Sequence, residues 1–128
     1  MRYFYDRFEE NTYPYIADIS DTRSGTRKNI VLLDIPPASE FRMAIGKFQP
    51  GTGNTPHTHE WEHAMYIMKG KCRAVVEKEE AILTEGMVGF APRNTVHHIH
   101  NIGETELIVL GISGPPRTEA GYAQLKKK

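Results

Sequence analysis

The chain has 128 residues, 39% of them apolar and 25% charged, which is the size and composition of one soluble globular domain. Sixteen basic and sixteen acidic residues give a formal net charge of zero, so the sequence lacks the basic surface that attracts nucleic acid or an anionic membrane. Composition and charge therefore argue against both of these partners and favour a small-molecule substrate.

Cysteine usage and the amino terminus predict the compartment. Cys72 is the only cysteine, so no internal disulfide can form, which is typical of a reducing environment. No run approaches the roughly 20 apolar residues of a membrane helix. Asp6, Glu9 and Glu10 lie where a signal peptide would be apolar. We therefore predict a cytoplasmic protein.

The first third of the chain predicts an arm followed by two strands. Residues 1–26 contain turn-forming segments and no sustained helical period, which predicts an amino-terminal arm with edge strands that packs on the main body or on a second subunit. Residues 27–35 form a strand-sized apolar run that Pro36-Pro37 closes. Residues 41–48 form another, which ends at a Pro-Gly turn.

The remainder of the chain continues the β pattern. Short apolar segments alternate with Gly and Pro turns at roughly 8–12-residue spacing, which is the signal for a sandwich or barrel. The predicted segments are 63–68, 71–80, 81–86, 89–91, 96–100 and 107–113. We assign the barrel to residues 27–114 and a loosely attached carboxy-terminal tail to 115–128.

Two short segments contain all of the histidines of the chain. They are His57, His59 and His63 in the first segment, and His97, His98 and His100 in the second. Imidazole is the commonest neutral metal ligand, so histidines gathered at strand-like spacing predict a transition-metal site.

Strand alternation divides these histidines into candidate ligands and others. Side chains alternate across a strand, so His57 and His59 share one face, and His63 can supply a third imidazole from the next strand. On the later strand the same rule separates His97 from His98 and His100. We interpret His98 and His100 as surface or packing residues.

The histidines lie in two spaced motifs. The first runs Gly51-x5-His57-x-His59-x3-His63-x6-Gly70, and the second runs Gly86-x5-Pro92-x-Asn94-x2-His97-x3-Asn101. This pair resembles the two sequence motifs of the cupin superfamily, with a short spacer like that of small single-domain bacterial members. The resemblance implies an all-β, cupin-type double-stranded β-helix, or jelly-roll, barrel.

Two positions depart from the cupin motifs. Asn94 replaces the usual glycine, a mild change because asparagine tolerates a left-handed backbone. His63 replaces the usual glutamate ligand, so the site is similar to that of four-histidine, manganese-binding cupins. The resemblance implies one divalent ion per chain bound by His57, His59, His63 and His97. Manganese or iron is favoured, and nickel, copper or zinc is possible.

A four-histidine site has a chemical consequence. Neutral imidazoles leave the full charge of +2 on the ion, which makes it a strong Lewis acid and favours anionic ligands. Four ligands on an octahedral ion leave two open positions, which suits catalysis. Glu60 and Glu62 flank the histidines and are candidate acceptors for the ring N–H groups, and Glu62 is the alternative ligand if the bend is shifted by one residue.

The lining of the barrel is predicted less directly. If His63 points inward, so do Met65 and Ile67 on the same strand. The resemblance places Ala44, Gly46, Val109 and Gly111 in the lumen as well. These residues offer no acid, base or cationic group, so we expect a small and largely apolar substrate.

The favoured function is a metal-dependent oxidative enzyme, similar to a dioxygenase. A non-redox Lewis-acid isomerase or lyase acting on a sugar-like or keto compound is the alternative enzyme, and a non-catalytic metal- or ligand-binding module is the third hypothesis. Exposed edges and an aromatic arm predict a homodimer.

Overall fold

Nine β-strands make up the regular structure of the chain. A computed structural model describes residues 9–13, 27–33 and 40–115, and these ranges contain strands and turns but no helix. The strands are β1 (Glu9–Tyr13), β2 (Arg27–Leu33), β3 (Arg42–Phe48), β4 (Glu62–Lys69), β5 (Lys71–Val76), β6 (Glu79–Thr84), β7 (Val88–Ala91), β8 (His97–Asn101) and β9 (Leu107–Gly114). The predicted all-β class is confirmed.

The strands form two antiparallel sheets. One sheet has six strands in the order β1-β2-β3-β9-β4-β7, and the other has three in the order β6-β5-β8. β9 lies between β3 and β4, so strands distant in sequence are neighbours in space, as in a jelly roll. β1 is an edge strand. The rest of the predicted arm, Pro36-Pro37 and the tail after residue 115 lie outside the described residues.

The inner faces of the two sheets form the hydrophobic core. Along β3 every second residue from Arg42 to Phe48 is buried, and along β8 buried positions alternate in the same way. The buried apolar cluster comprises Phe48, Met65, Ile67, Cys72, Ala74, Leu83, Ile99, Leu107 and Val109. β3 and β8 therefore each bury one face, and the outer face of the six-stranded sheet also carries exposed apolar side chains such as Tyr66 and Phe90.

The six residues predicted to line the lumen lie on this inner face in two adjacent rows. One row joins Ala44, Gly111 and Met65 across β3, β9 and β4. The next row joins Gly46, Val109 and Ile67 across the same strands. Their sidedness follows from the register, while a role in substrate contact stays a prediction.

One turn agrees with the predicted segments and another divides one of them. Gly70, between β4 and β5, has φ +95° and leaves almost no room for a side chain beside Leu107, as a turn glycine should. Glu77 has φ 55° without being glycine, and it begins a turn that divides the predicted segment 71–80 into β5 and the start of β6. The Glu77 carboxylate accepts a hydrogen bond from the Val96 amide at 2.6 Å.

No helix among the described residues is long and apolar enough to cross a membrane. Cys72 is fully buried, and burial raises the pKa of its thiol to about 11. At neutral pH the Cys72 thiol is therefore protonated and a poor nucleophile.

Candidate metal centre

A loop strand before β4 brings the first histidines to β8. Residues 51–57 pair with β8 through backbone hydrogen bonds, including His57 N–H to His97 O at 3.1 Å and His97 N–H to His57 O at 3.0 Å. The side-chain oxygen of Asn54 accepts a further bond from the Ile99 amide at 2.8 Å. The loop is thereby fixed as an extra strand of the smaller sheet, with His57 and His97 opposite each other.

Three buried imidazoles converge at this point. His57, His59 and His97 each offer a ring nitrogen, and these three atoms lie within 4.8 Å of one another. All three residues are buried. The loop that leads into β8 is held against the group because the Asn94 amide donates to His59 O at 2.8 Å. The predicted left-handed backbone at Asn94 is confirmed by its φ of 61°.

A hydrogen bond from Nδ1 to a backbone carbonyl oxygen orients each of these three rings. Nδ1 of His57 lies 2.7 Å from Thr55 O, Nδ1 of His59 lies 2.8 Å from Trp61 O, and Nδ1 of His97 lies 2.9 Å from Thr95 O. A carbonyl oxygen can only accept a hydrogen bond, so each Nδ1 carries the proton. Each Nε2 is then left with its lone pair, as a metal ligand requires.

Trp61 fixes His59 in a second way. The indole is buried, and it stacks on the His59 ring with centroids 4.5 Å apart and planes inclined by 9°. Ring stacking and the carbonyl contact together leave the His59 imidazole one orientation. Trp61 therefore packs directly on a candidate ligand.

The ring separations fit a common ion. Two imidazoles bound through Nε2 at about 2.1 Å from an ion have centroids about 4.6 Å apart at a right angle and about 6.5 Å apart on opposite sides. The centroid separations are 4.4 Å for His57 and His97, 4.7 Å for His59 and His97, and 5.7 Å for His57 and His59. Nε2 of His97 is buried and makes no hydrogen bond among the described residues, which an ion at this point would explain.

The electrostatics of His97 also suit a ligand. Burial lowers the pKa of His97 below its ordinary value of 6.5; the hydrogen bond to Thr95 opposes the shift, and His98 adds to it. A lowered pKa keeps the imidazole neutral near pH 7, which is the form that binds a metal.

His63 lies beside this group but is not one of the three. Its ring centroid is 5.8 Å from that of His59 and 6.1 Å from that of His97. Both separations lie between the centroid distances for two ligands at a right angle and two on opposite sides of one ion, so they are compatible with a shared ion. His63 is nevertheless not among the three residues whose nitrogens converge, and its role as a fourth ligand stays a prediction. A Cβ at Gly111 would lie 3.0 Å from Cε1 of His63, which places the glycine directly against the imidazole.

The other site predictions can be placed as well. Glu60 and Glu62 are exposed, and backbone carbonyls occupy the Nδ1 positions of the three converging histidines. A supporting role for the two glutamates stays a prediction. His98 and His100 are half-buried on the face of β8 opposite to His97, as alternation predicted.

The sequence analysis missed one charged residue of the inner face. Arg42 is 8% exposed, and it shares the inward parity of Ala44 and Gly46 on β3. The family resemblance placed these two residues in the lumen, and alternation along the strand from them could have identified Arg42. Ser113 faces Arg42 across the β3–β9 register and is also buried.

Fold and site together define a β-barrel protein with a candidate site for a divalent metal. The comparison with protein families agrees with this class: the cupin domain model matches residues 44–113, more than half of the chain. The chain belongs to the cupin family.

Individual relatives are distant. A cupin 2 conserved barrel domain protein from Rhodopseudomonas palustris superposes with a TM-score of 0.70 at 20% identity, covering 94% of this chain and 84% of its own. Oxalate decarboxylase from Lactobacillus farciminis, solved as a formate complex, has a TM-score of 0.64 at 28% identity, covering 71% of this chain and 29% of its own. The uncharacterized protein SCO3923 of Streptomyces coelicolor is 26% identical over 81 residues, which are 62% of this chain and 76% of that protein.

Proposed function

We propose that the protein is a metal-dependent enzyme in which His57, His59 and His97 hold one divalent ion and His63 supplies a fourth imidazole. The observation that carries the proposal is the shared orientation of the three buried rings. Each Nδ1 donates to a backbone carbonyl, and one ring nitrogen from each residue lies within 4.8 Å of the other two. Carbonyl contacts that fix the tautomer and orientation of every ring are typical of histidines that bind a metal.

Manganese or iron is the proposed ion, with nickel, copper or zinc as possible occupants because nitrogen sites bind the later metals more strongly. The bound ion would supply Lewis acidity and, if it is manganese or iron, redox chemistry. The protein's own residues keep the imidazoles neutral and oriented, and the apolar inner face around Met65, Ile67 and Val109 limits access of water.

The favoured reaction class is oxidative, similar to that of a dioxygenase, on a small and largely apolar substrate. The support is the composition of the inner face beside the histidines. The rows Ala44–Gly111–Met65 and Gly46–Val109–Ile67 are apolar and contain three small residues. Such a surface gives room and an apolar contact to a small organic molecule.

A non-redox lyase or isomerase is the second candidate. The specific observation is the 28% identity with an oxalate decarboxylase, since cleavage of a carbon–carbon bond is lyase chemistry. Zinc replacement distinguishes the two candidates. Oxidative turnover should stop with zinc, whereas Lewis-acid turnover on a sugar-like or keto compound should survive.

Metal analysis tests the proposed function. We expect about one manganese or iron per chain by plasma mass spectrometry in protein purified without an affinity tag, as a four-ligand site holds a single ion. His57→Ala/His97→Ala should lose the ion, and His98→Ala, a matched histidine of the opposite face, should retain it. If no sample binds an ion even after reconstitution, the histidines are structural and the non-catalytic binding module becomes the better hypothesis.

A second copy of the chain is the proposed protein partner. The outer face of the six-stranded sheet exposes Tyr66, Val88, Phe90 and Ile112, and the strand register makes them neighbours around Ala64. This patch carries no charge, so two copies related by a two-fold axis can bury it without repulsion. The proposed compartment is the cytoplasm, where a single buried thiol such as Cys72 stays reduced.

Light scattering after gel filtration tests the dimer. We expect a dimer for the wild type, a monomer for Phe90→Glu, and a dimer for Ile82→Glu, whose side chain is similarly exposed on the other sheet. A monomeric wild type, or a dimer that Phe90→Glu leaves intact, would contradict this interface.

A further inference from the structure

Glu77 has an unusual backbone conformation for a glutamate. It lies in the turn between β5 and β6, outside both histidine motifs, and its φ is 55°. A left-handed backbone costs free energy for residues other than glycine, and the exceptions are mostly asparagine and aspartate. We therefore looked for an interaction of Glu77 that offsets this cost.

The offsetting interaction is a pair of hydrogen bonds with Val96. The Glu77 amide donates to Val96 O at 2.7 Å, and the Glu77 carboxylate accepts from the Val96 amide at 2.6 Å. Hydrogen bonds to a carboxylate are shorter and stronger than those between neutral groups. Val96 immediately precedes the candidate ligand His97, so the side chain of Glu77 acts next to the metal centre.

The Val96 amide belongs to the same peptide group as the carbonyl that orients His97. The C=O of Thr95 and the N–H of Val96 are the two polar ends of one planar unit. Nδ1 of His97 donates to Thr95 O at 2.9 Å, so this peptide joins the Glu77 carboxylate to the His97 imidazole. Hydrogen bonds linked in such a chain polarise and strengthen one another.

His57 offers a comparison within the same site. Its Nδ1 lies 2.7 Å from Thr55 O, but the residue after Thr55 is Pro56, whose backbone nitrogen carries no hydrogen. The peptide that orients His57 therefore has no N–H group that a carboxylate could bind. A carboxylate can support His97 through a peptide, whereas the same arrangement is chemically impossible at His57.

We propose that Glu77 is a positioning residue of the candidate metal centre: it fixes the Thr95–Val96 peptide and thereby orients the His97 ring and strengthens Nε2 as a ligand. This inference rests on the proposed metal-dependent function. A carboxylate that accepts from the Nδ1 side of a metal-binding histidine fixes the ring and raises its basicity, and here a polarised peptide lies between the two groups.

Nuclear magnetic resonance of the metal-free protein tests the hydrogen-bonded chain. The signals to follow are those of the Val96 amide proton and the Hδ1 protons of His57 and His97, because such protons move downfield as their hydrogen bonds shorten. Glu77→Gly suits the positive φ but has no acceptor. In this variant the Val96 and His97 protons should move upfield, and the His57 proton should keep its position. Glu77→Gln keeps a neutral acceptor oxygen and should give intermediate positions.

Equilibrium dialysis against manganese measures the effect on metal binding. Glu77→Gly should bind manganese about tenfold more weakly than wild type, the lower end of the range for residues that support a ligand. Glu77→Gln should recover part of this loss. Glu79→Gln, which removes the exposed glutamate at the start of β6, is the matched control and should bind with wild-type affinity.

Thermal melting of the metal-free variants separates positioning from folding. Glycine relieves the unfavourable backbone conformation while it removes the hydrogen bond, so the Tm of Glu77→Gly should stay close to that of wild type. A residue that served only the fold would lose manganese affinity in proportion to Tm, and Glu77→Gln would not restore it separately.

Three results would overturn the inference: unchanged Val96 and His97 protons in Glu77→Gly, a wild-type manganese affinity in this variant, or a loss of affinity that follows the loss of Tm. Failure of the proposed function looks different. Wild type would then bind no manganese, while Glu77→Gly would still shift the two protons, which would support the hydrogen-bonded chain and refute the metal-dependent function.

Discussion

Replacement of His97 by alanine tests the metal centre at its most buried point. His97 is 3% exposed, its Nδ1 is held by Thr95 O, and its Nε2 is the buried nitrogen that makes no hydrogen bond in the described part of the chain. Removing this ring should cost metal binding more than it costs the fold, because His97 is not a member of the apolar cluster.

The magnitude follows from the number of ligands. Four-ligand zinc sites have apparent binding free energies of about 10–16 kcal/mol, so one ligand contributes roughly 2.5–4 kcal/mol. Its loss should weaken binding by roughly 70- to 900-fold. At a metal concentration of about 100 times the wild-type Kd, the ion stabilises wild type by about 2.7 kcal/mol, whereas a variant with 100-fold weaker binding gains only about 0.4 kcal/mol. With an unfolding entropy of about 2.1 cal/mol/K per residue over 128 residues, this difference corresponds to about 9 °C in Tm.

Thermal melting with and without manganese measures this difference, and equilibrium dialysis gives the Kd values. We expect His97→Ala to lose most of the metal-induced rise in Tm, and His98→Ala to keep it. His63→Ala tests the number of ligands. A loss of manganese affinity similar to that of His97→Ala supports four ligands, and an unchanged Kd means that only three residues bind the ion. A full metal-induced shift in His97→Ala would refute the assignment of the centre.

Two further predictions concern the same histidines. Burial lowers the pKa of His97 from 6.5, so below that pH the unfolded chain binds a proton that the folded protein does not. The metal-free protein should therefore lose stability as the pH falls from 6.5 towards the lowered pKa, with no change from this group above 6.5. The urea midpoint of unfolding should depend less steeply on pH in His97→Gln than in wild type, and an equal dependence in both would contradict the assignment. Gly111→Val should displace the His63 imidazole, since even a Cβ at residue 111 would lie 3.0 Å from Cε1 of His63. We expect the variant to bind manganese about tenfold or more weakly than wild type in equilibrium dialysis. Wild-type affinity in the variant would mean that His63 is not a ligand.

Much of the fold was predictable because its signals are local. Alternation separated His97 from His98 and His100 on β8, and turn residues identified most strand ends. The prediction for Asn94 succeeded because a left-handed backbone restricts the residue type strongly. The inward face of β3 followed only from the family resemblance, and the long-range pairing of residues 51–57 with β8 was not predicted.

Other features left no local signal. Glu77 has a positive φ in a turn although it is not a glycine, so the residue type did not indicate the turn. Its carboxylate accepts a hydrogen bond from the amide of Val96, 19 residues away. The acceptors at Nδ1 are backbone oxygens, which every residue has, so composition could not distinguish them from the carboxylates of Glu60 and Glu62. Arg42 was missed because the search for a cation was limited to residues already assigned to the lumen.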